Sequence, residues 1–321
     1  MISERVRDFG FAAAGDVPIS YLKRTSTYYE ALGFGPPYEW AHYAQVPFHR
    51  LEKPLSRCRL TIITTAARFQ PGKGDQGPGA PYNGAAKFFT VYSGDTAKDH
   101  DLRISHVAID RKHTTAEDPA TYFPLTELRR RAAHGDIAPL ATRFHGLPTN
   151  RSHRVTLEVD CPEIVDRCQA DQVDAALLVP NCPVCHQSVS LAARMLEQNG
   201  IATVVMGCAK DIVEYVGVPR FLFSDFPLGN AAGRPRDPAS QAFTLDLALR
   251  LIEAAPAPRT TVQSPLSWSD SADWKLDYCN IECVPVEEIV QRRAEFEQQK
   301  NLAKAVHAEA GAGSSDARTG L

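Results

Sequence analysis

With 321 residues, 44% hydrophobic and 23% charged, the chain is long enough for one large α/β core or two lobes, and its composition is that of an ordinary globular protein. A net charge of -3 gives no reason to expect nucleic acid or an anionic membrane as a partner. The charged opening Met1-Ile-Ser-Glu-Arg-Val-Arg-Asp8 lacks the apolar core of a signal peptide, and no run approaches the roughly eighteen apolar residues of a membrane helix, so a cytoplasmic protein is expected. Eight cysteines, at 58, 161, 168, 182, 185, 208, 279 and 283, then read as thiols, any disulfide being transient and catalytic.

Residues 1–57 form an aromatic arm in which Tyr21, Tyr28, Tyr29, Phe34, Tyr38, Trp40 and Tyr43 crowd together and prolines limit helix to 19–32. The arm either packs on the body or a partner subunit, or supplies an aromatic substrate wall. A first α/β lobe is expected over 58–154. Residues 58–65 are dense in β-branched side chains and read as a buried strand. The Gly/Pro loop 70–84 has neither the order of a phosphate loop nor a dinucleotide fingerprint, and is a lid or an exposed connection. Residues 101–110 read as a second strand whose end carries Ser105, His106 and Asp110, with His113 beyond. Strand alternation would put Ser105 and His106 on opposite faces. His106 is a candidate general acid or base, against a hydrogen-bonded structural role. Pro124 opens and Gly135 closes a helix, after which a short turn leads to Arg143-Phe-His145-Gly146.

A second lobe, 155–256, alternates more clearly: helix 161–171, strand 173–180, helix 187–199, strand 201–206, helix 209–216, strand 219–224 and helix 240–254. This rhythm predicts an α/β fold with a parallel sheet, Rossmann-like lobes and helices on both faces. In such sheets ligands bind beyond the carboxyl ends of strands, where both Cys182 and Cys208 fall. Cys208 is thus either a neighbour of the reactive pair or simply buried. The turn 226–235 carries Gly229 and Asn230, whose amides could hold a carboxylate or merely shape the turn. A C-terminal extension, 257–310, contains the Cys279/Cys283 pair and a long charged helix over 286–307. Residues 311–321 have nothing to bury and are expected to be disordered.

The most loaded stretch is Asp174-Ala-Ala-Leu-Leu-Val-Pro-Asn-Cys182-Pro-Val-Cys185-His186: strand, then C-x-x-C, then helix. Cys182 falls at or just before a helix N-terminus, where unpaired N–H groups and the helix dipole favour a thiolate. A second thiol in reach could then release it. The alternatives are half of a zinc site, completed as four thiolates by Cys279 and Cys283, or two inert buried thiols.

That stretch resembles the selenoprotein B family of glycine, sarcosine and betaine reductases, most closely the selenocysteine subunit of D-proline reductase. Ser105-His106 with Asp110, Phe123-Pro-Leu-x-x-Leu-Arg129 and Pro227-Leu-Gly229-Asn230 are further points of likeness, over about 58–254. The resemblance implies that Cys182 stands in the selenocysteine position and Cys185 in that of the partner cysteine. It implies a reductase that cleaves a C–N bond of an amino-acid-like or betaine-like small substrate, with Cys182 attacking, Cys185 resolving and His106 or His186 moving a proton. Ser105, Asp110, Gly229 and Asn230 are then candidate substrate contacts. No cofactor is expected in this chain; an external dithiol or thioredoxin-like protein would be the reductant, and any pyruvoyl group would sit on a partner reductase subunit in an oligomer. Two departures stand out: sulfur replaces selenium, and nothing here suggests a self-cleaving pyruvoyl precursor. The competing reading is a cofactor-independent two-cysteine isomerase, racemase or lyase of the aspartate/glutamate racemase type.

Overall fold

The computed structural model describes residues 17–33, 38–104 and 106–316. Phe34, Ser105 and the last part of the expected disordered tail lie outside the described residues.

After helix α1 (Tyr21–Ala31), the chain enters strand β1 (Leu60–Thr64) and then the short β2 (Ala67–Arg68), β3 (Tyr92–Asp95) and β4 (Leu102–Arg103). Helix α2 (Leu125–His134) and β5 (Arg143–Gly146) follow. A short helical turn at His153–Val155 and a π-helical stretch Thr156–Asp160 lead into α3 (Cys161–Ala170). Then come β6 (Ala175–Val179), α4 (Pro183–Gln198), β7 (Ala202–Gly207), α5 (Lys210–Val216), β8 (Arg220–Phe223), α6 (Pro238–Ala254), β9 (Thr260–Gln263) and the long α7 (Val286–Asp316).

Among the described residues these strands build a seven-stranded sheet in the order β3-β5-β1-β6-β7-β8-β9, parallel except for the edge strand β3. Every residue of β1, β6 and β7 is buried, as expected for central parallel strands covered on both faces. Side-chain alternation divides the core in two. Ile62, Leu177 and Val204 point into one apolar cluster with Tyr21, Leu128 and Leu245, so α1, α2 and α6 cover that face. Ile63, Leu178 and Val205 point into the other with Ile164, Val189 and Val213, so α3, α4 and α5 cover the opposite face. The expected α/β fold with helices on both faces is therefore present. The stretches read as two lobes share this one sheet: β1 pairs with β5 on one side and with β6 on the other.

Three local expectations are corrected. Only Leu102–Arg103 of 101–110 is strand, paired antiparallel with β2. Beyond it, Arg111 Nη2 and Nη1 donate to the carbonyls of His106 and Val107, and the Tyr278 hydroxyl donates to that of Ala108, so side chains replace a strand ladder. The helix expected from 187 begins at Pro183, because proline at the first helical position loses no hydrogen bond there. The C-terminal helix continues past 307 to Asp316.

The aromatic arm is tied to the body by buried polar contacts. Ala41 N donates to Gln187 Oε1 at 2.7 Å, and Arg194 Nη2 to the Gln45 carbonyl at 2.8 Å. Deeper still, Glu197 accepts from Arg220 Nη1 at 2.7 Å and from Thr203 Oγ1 at 2.8 Å, while Arg220 Nη2 donates to His49 O at 2.6 Å. Removing one member leaves a buried charge uncompensated, which typically costs about 3–5 kcal/mol. Glu197→Ala is expected to destabilise the fold by that order in denaturant unfolding, and a loss below about 1 kcal/mol would show that the pair is not structural.

Candidate active site

The site is built where the sheet reverses direction. The chain leaves β1 toward β5 and leaves β6 toward β7, so the carboxyl ends of the adjacent β1 and β6 open a crevice. Thr65, just beyond β1, uses its Oγ1 to accept from Asn181 N at 3.0 Å and Asn181 Nδ2 at 3.1 Å, tying the two strand ends together. The next residue is Cys182.

Cys182 is the N-cap of α4, and its Sγ accepts from Cys185 N at 3.3 Å. The two cysteines form a disulfide, with Cα atoms 4.9 Å apart. Their environments differ. Cys182 is 4% exposed and lines a cavity of about 840 Å³, whereas Cys185 is wholly buried behind it, with Thr149 Oγ1 at 3.1 Å from its sulfur. A molecule in the cavity therefore meets Cys182 first. The helix N-terminus is placed to stabilise a Cys182 thiolate after reduction, and the Thr149 hydroxyl one at Cys185.

His106 comes to the same place from the irregular segment after β4. A nitrogen of its ring and both sulfurs lie within 4.8 Å of one another. Burial, together with the positive charges of Lys87 and Arg111, pushes its pKa down to about 3, against the effect of a hydrogen bond with the Thr65 main chain. Its Nδ1 is buried without a hydrogen-bond partner. On reduction, these three side chains could also hold a metal ion. The four-thiolate zinc set is not assembled, because Cys279 and Cys283 line a separate cavity of about 710 Å³.

His186 has a different task from the expected proton transfer. It is fully buried; its Nδ1 lies 2.8 Å from Cys182 O, and its Nε2 accepts from Cys208 N at 2.9 Å and Ala209 N at 3.2 Å. Two amide donors fix Nε2 as unprotonated, leaving Nδ1 as the donor to Cys182 O. Burial lowers the pKa to about 4, which keeps this tautomer neutral. His186 thus positions the turn after β6 against the turn after β7. Gly207 permits it: a Cβ there would stand 2.8 Å from the ring.

The expected substrate contacts are dispersed. Asp110 is buried, pairs with His113 Nδ1 at 2.9 Å and lines the second cavity. Gly229 adopts a φ of +100° and its carbonyl accepts from Thr121 Oγ1 at 3.0 Å, in a turn where Asn230 Nδ2 donates to Pro227 O. Neither Gly229 nor Asn230 lines the Cys182 cavity; that turn instead directs the Asn230 and Phe226 amides at the buried Cys208 thiol. Burial raises the Cys208 pKa, and the thiol packs within the apolar core. Ser105 lies outside the described residues.

Several lining residues escape sequence reasoning. Thr149, Arg151 and His153 follow β5, whose polar, four-residue strand gives little pattern; recognising it would have placed them beside the carboxyl end of β1. Lys87 and Phe89 precede β3, whose first residue Tyr92 pairs with Gly146 at that same end. Tyr29 and Tyr38 do form an aromatic wall, with Gln187 joining Tyr38 and His153 by hydrogen bonds. Helix α7 covers the opening: Phe296, Lys300 and His307 face the cavity, and Gln299 Oε1 accepts from Gly84 N at 2.8 Å. A Cβ on Gly84 would meet the Gln299 carbonyl at 2.2 Å, so glycine there lets the helix sit down.

Fold and site together define an α/β protein with a dithiol–disulfide pair at the switch point of its sheet. The chain is 31% identical over 177 residues to the D-proline reductase subunit gamma of Acetoanaerobium sticklandii, covering 54% of this chain and 72% of that subunit. It belongs to the family of that subunit, a relationship that supports a reductase-type function. The relative is by name one subunit of its enzyme, consistent with partner subunits here. No protein-family model matches the chain, and no solved structure matches it significantly. No described helix is long and apolar enough to cross a membrane.

Proposed function

We propose that this chain is the thiol subunit of a reductase that cleaves a C–N bond of an amino-acid-like or betaine-like small substrate. The observation that carries the reading is the asymmetry of the pair, Cys182 at the cavity wall and Cys185 buried behind it. In the reduced state the Cys182 thiolate attacks the carbon bearing nitrogen. A C–S bond forms, the C–N bond breaks, and its electron pair leaves on nitrogen, which takes a proton unless it was quaternary. The Cys185 thiolate then attacks the Cys182 sulfur. The S–S bond forms, and the C–S electron pair passes to carbon, which takes a proton. The dithiol thus supplies two electrons, and the disulfide is the spent state, to be reduced by an external dithiol or thioredoxin-like protein. His106 moves a proton at the sulfur. Activation of the amine belongs to a partner subunit, where a pyruvoyl group would supply it, or is unnecessary for a quaternary nitrogen.

A two-cysteine racemase needs thiols on opposite faces of one carbon. Here Cys182 lines the cavity and Cys185 lies buried behind it, so the pair does not flank a bound carbon, which favours the reductase. The test is a single turnover: protein reduced and freed of small thiols, incubated with candidate amines with and without its partner subunit. One equivalent of released amine with loss of two thiols per chain is expected, and thioredoxin should restore turnover. Amine release, or deuterium entry at the α-carbon, without thiol loss would reject it.

A further inference from the structure

We propose that Lys87 and Arg151 form an anion-binding arm of the Cys182 cavity and that its ligand is a net-anionic carboxylate compound rather than a cation. The inference rests on that cavity being the substrate site. Among the described residues, the Lys87 ammonium makes no hydrogen bond or ion pair; it sits 4.8 Å from the Phe89 ring centroid, facing the cavity. Burial and the Arg151 charge push its pKa down to about 8, the mark of a cation that lacks an anion. Arg151 lies over the rings of Tyr29 and Tyr38, at 5.0 Å and 5.5 Å.

The rest of the described lining offers Lys87 no paired carboxylate. Glu39 is the acidic side chain among the described lining residues, and it is exposed at the rim. Lys300 is paired with Glu297, at 2.9 Å, and Lys304 adds a further positive charge. A quaternary ammonium would need bare aromatic faces. Three of the lining rings, Tyr29, Tyr38 and Phe89, already lie under Arg151 and Lys87, so an ammonium at those rings would meet a cation. An anion relieves the repulsion between Lys87 and Arg151, whereas a cation adds to it. The chemistry gains as well. When the C–S pair passes to a carbon next to a carboxylate, the extra negative charge spreads onto that carboxylate, where the two cations are placed to stabilise it.

The test is calorimetric titration of the full-length disulfide-form protein with succinate, glycine and glycine betaine at low salt, with no turnover involved. Succinate is expected to bind at least about tenfold tighter than either zwitterion. Lys87→Met and Arg151→Met should each weaken it by about tenfold or more, and Lys87→Arg should keep it within about threefold. Unfolding melts on each variant separate lost binding from lost structure. Equal affinity for betaine, undetectable succinate binding, or a folded Lys87→Met protein that binds succinate unchanged would overturn the proposal. Because the disulfide cannot react, succinate binding to a protein that fails the single-turnover test would reject the reductase and leave the anion site standing.

Discussion

Cys182→Ser is expected to lower steady-state turnover by on the order of 10³-fold or more, while Cys185→Ser reacts once and stops. The difference follows from position. Cys182 alone of the pair reaches the cavity, so its loss removes the attacking atom. With Cys185 replaced, attack by Cys182 still proceeds, but nothing stands behind the sulfur to take it back. Intact-mass measurement after incubation with substrate should show Cys185→Ser carrying one covalent adduct, discharged by added dithiol, and Cys182→Ser carrying none. Near-normal activity of Cys182→Ser would refute the assignment. So would an adduct mapped to another cysteine. Structural collapse does not explain the expected difference, since serine can accept the Cys185 N–H bond that caps α4.

The second large effect concerns His106. In the disulfide form its imidazole is held neutral above about pH 3 by burial and by the charges of Lys87 and Arg111. Reduction places a thiolate near the ring, and an opposite charge at this distance favours the protonated form. The His106 pKa should therefore rise on reduction, and the protonated ring should be lost again as pH increases through that higher value. Nuclear magnetic resonance titration of the ring in the two redox states measures this directly; an unchanged pKa would mean that no thiolate faces it. His106→Phe is expected to lower kcat/KM by about 10²–10⁴-fold. His186→Phe should chiefly reduce stability, because that ring holds two turns together. If His186→Phe were folded and as inactive as His106→Phe, the division of roles would be wrong.

The Cys182/Cys185 pair at a strand-to-helix turn was legible because its signals are local. An apolar strand, two cysteines three apart and a helix start lie consecutively, and the dipole argument needs no tertiary contact. The order of strands and helices in the second half likewise determined a parallel sheet, since short βα alternation leaves few other ways to bury both faces. His106, read as a candidate general acid or base on a strand, does come to the pair, although that strand does not form there. Its main chain is satisfied by Arg111 and Tyr278, residues that no periodicity connects to it.

The amino-acid sequence alone determined the α/β class, the juxtaposition of Cys182 and Cys185 and the placement of Cys182 at a helix N-terminus. Only the tertiary structure decided which thiol faces the cavity, which histidine stands beside the disulfide, and which cations line that cavity. Asp110, Gly229 and Asn230 looked like binding residues by motif, yet Asp110 pairs with His113, the Gly229 carbonyl accepts from Thr121, and none of the three lines the Cys182 cavity. Lys87 and Arg151 looked unremarkable, yet the register of β3 on β5 carries both to the end of β1. Propensity and spacing act over a few residues, whereas a cavity is made by strand order and crossovers that join residues far apart in the chain.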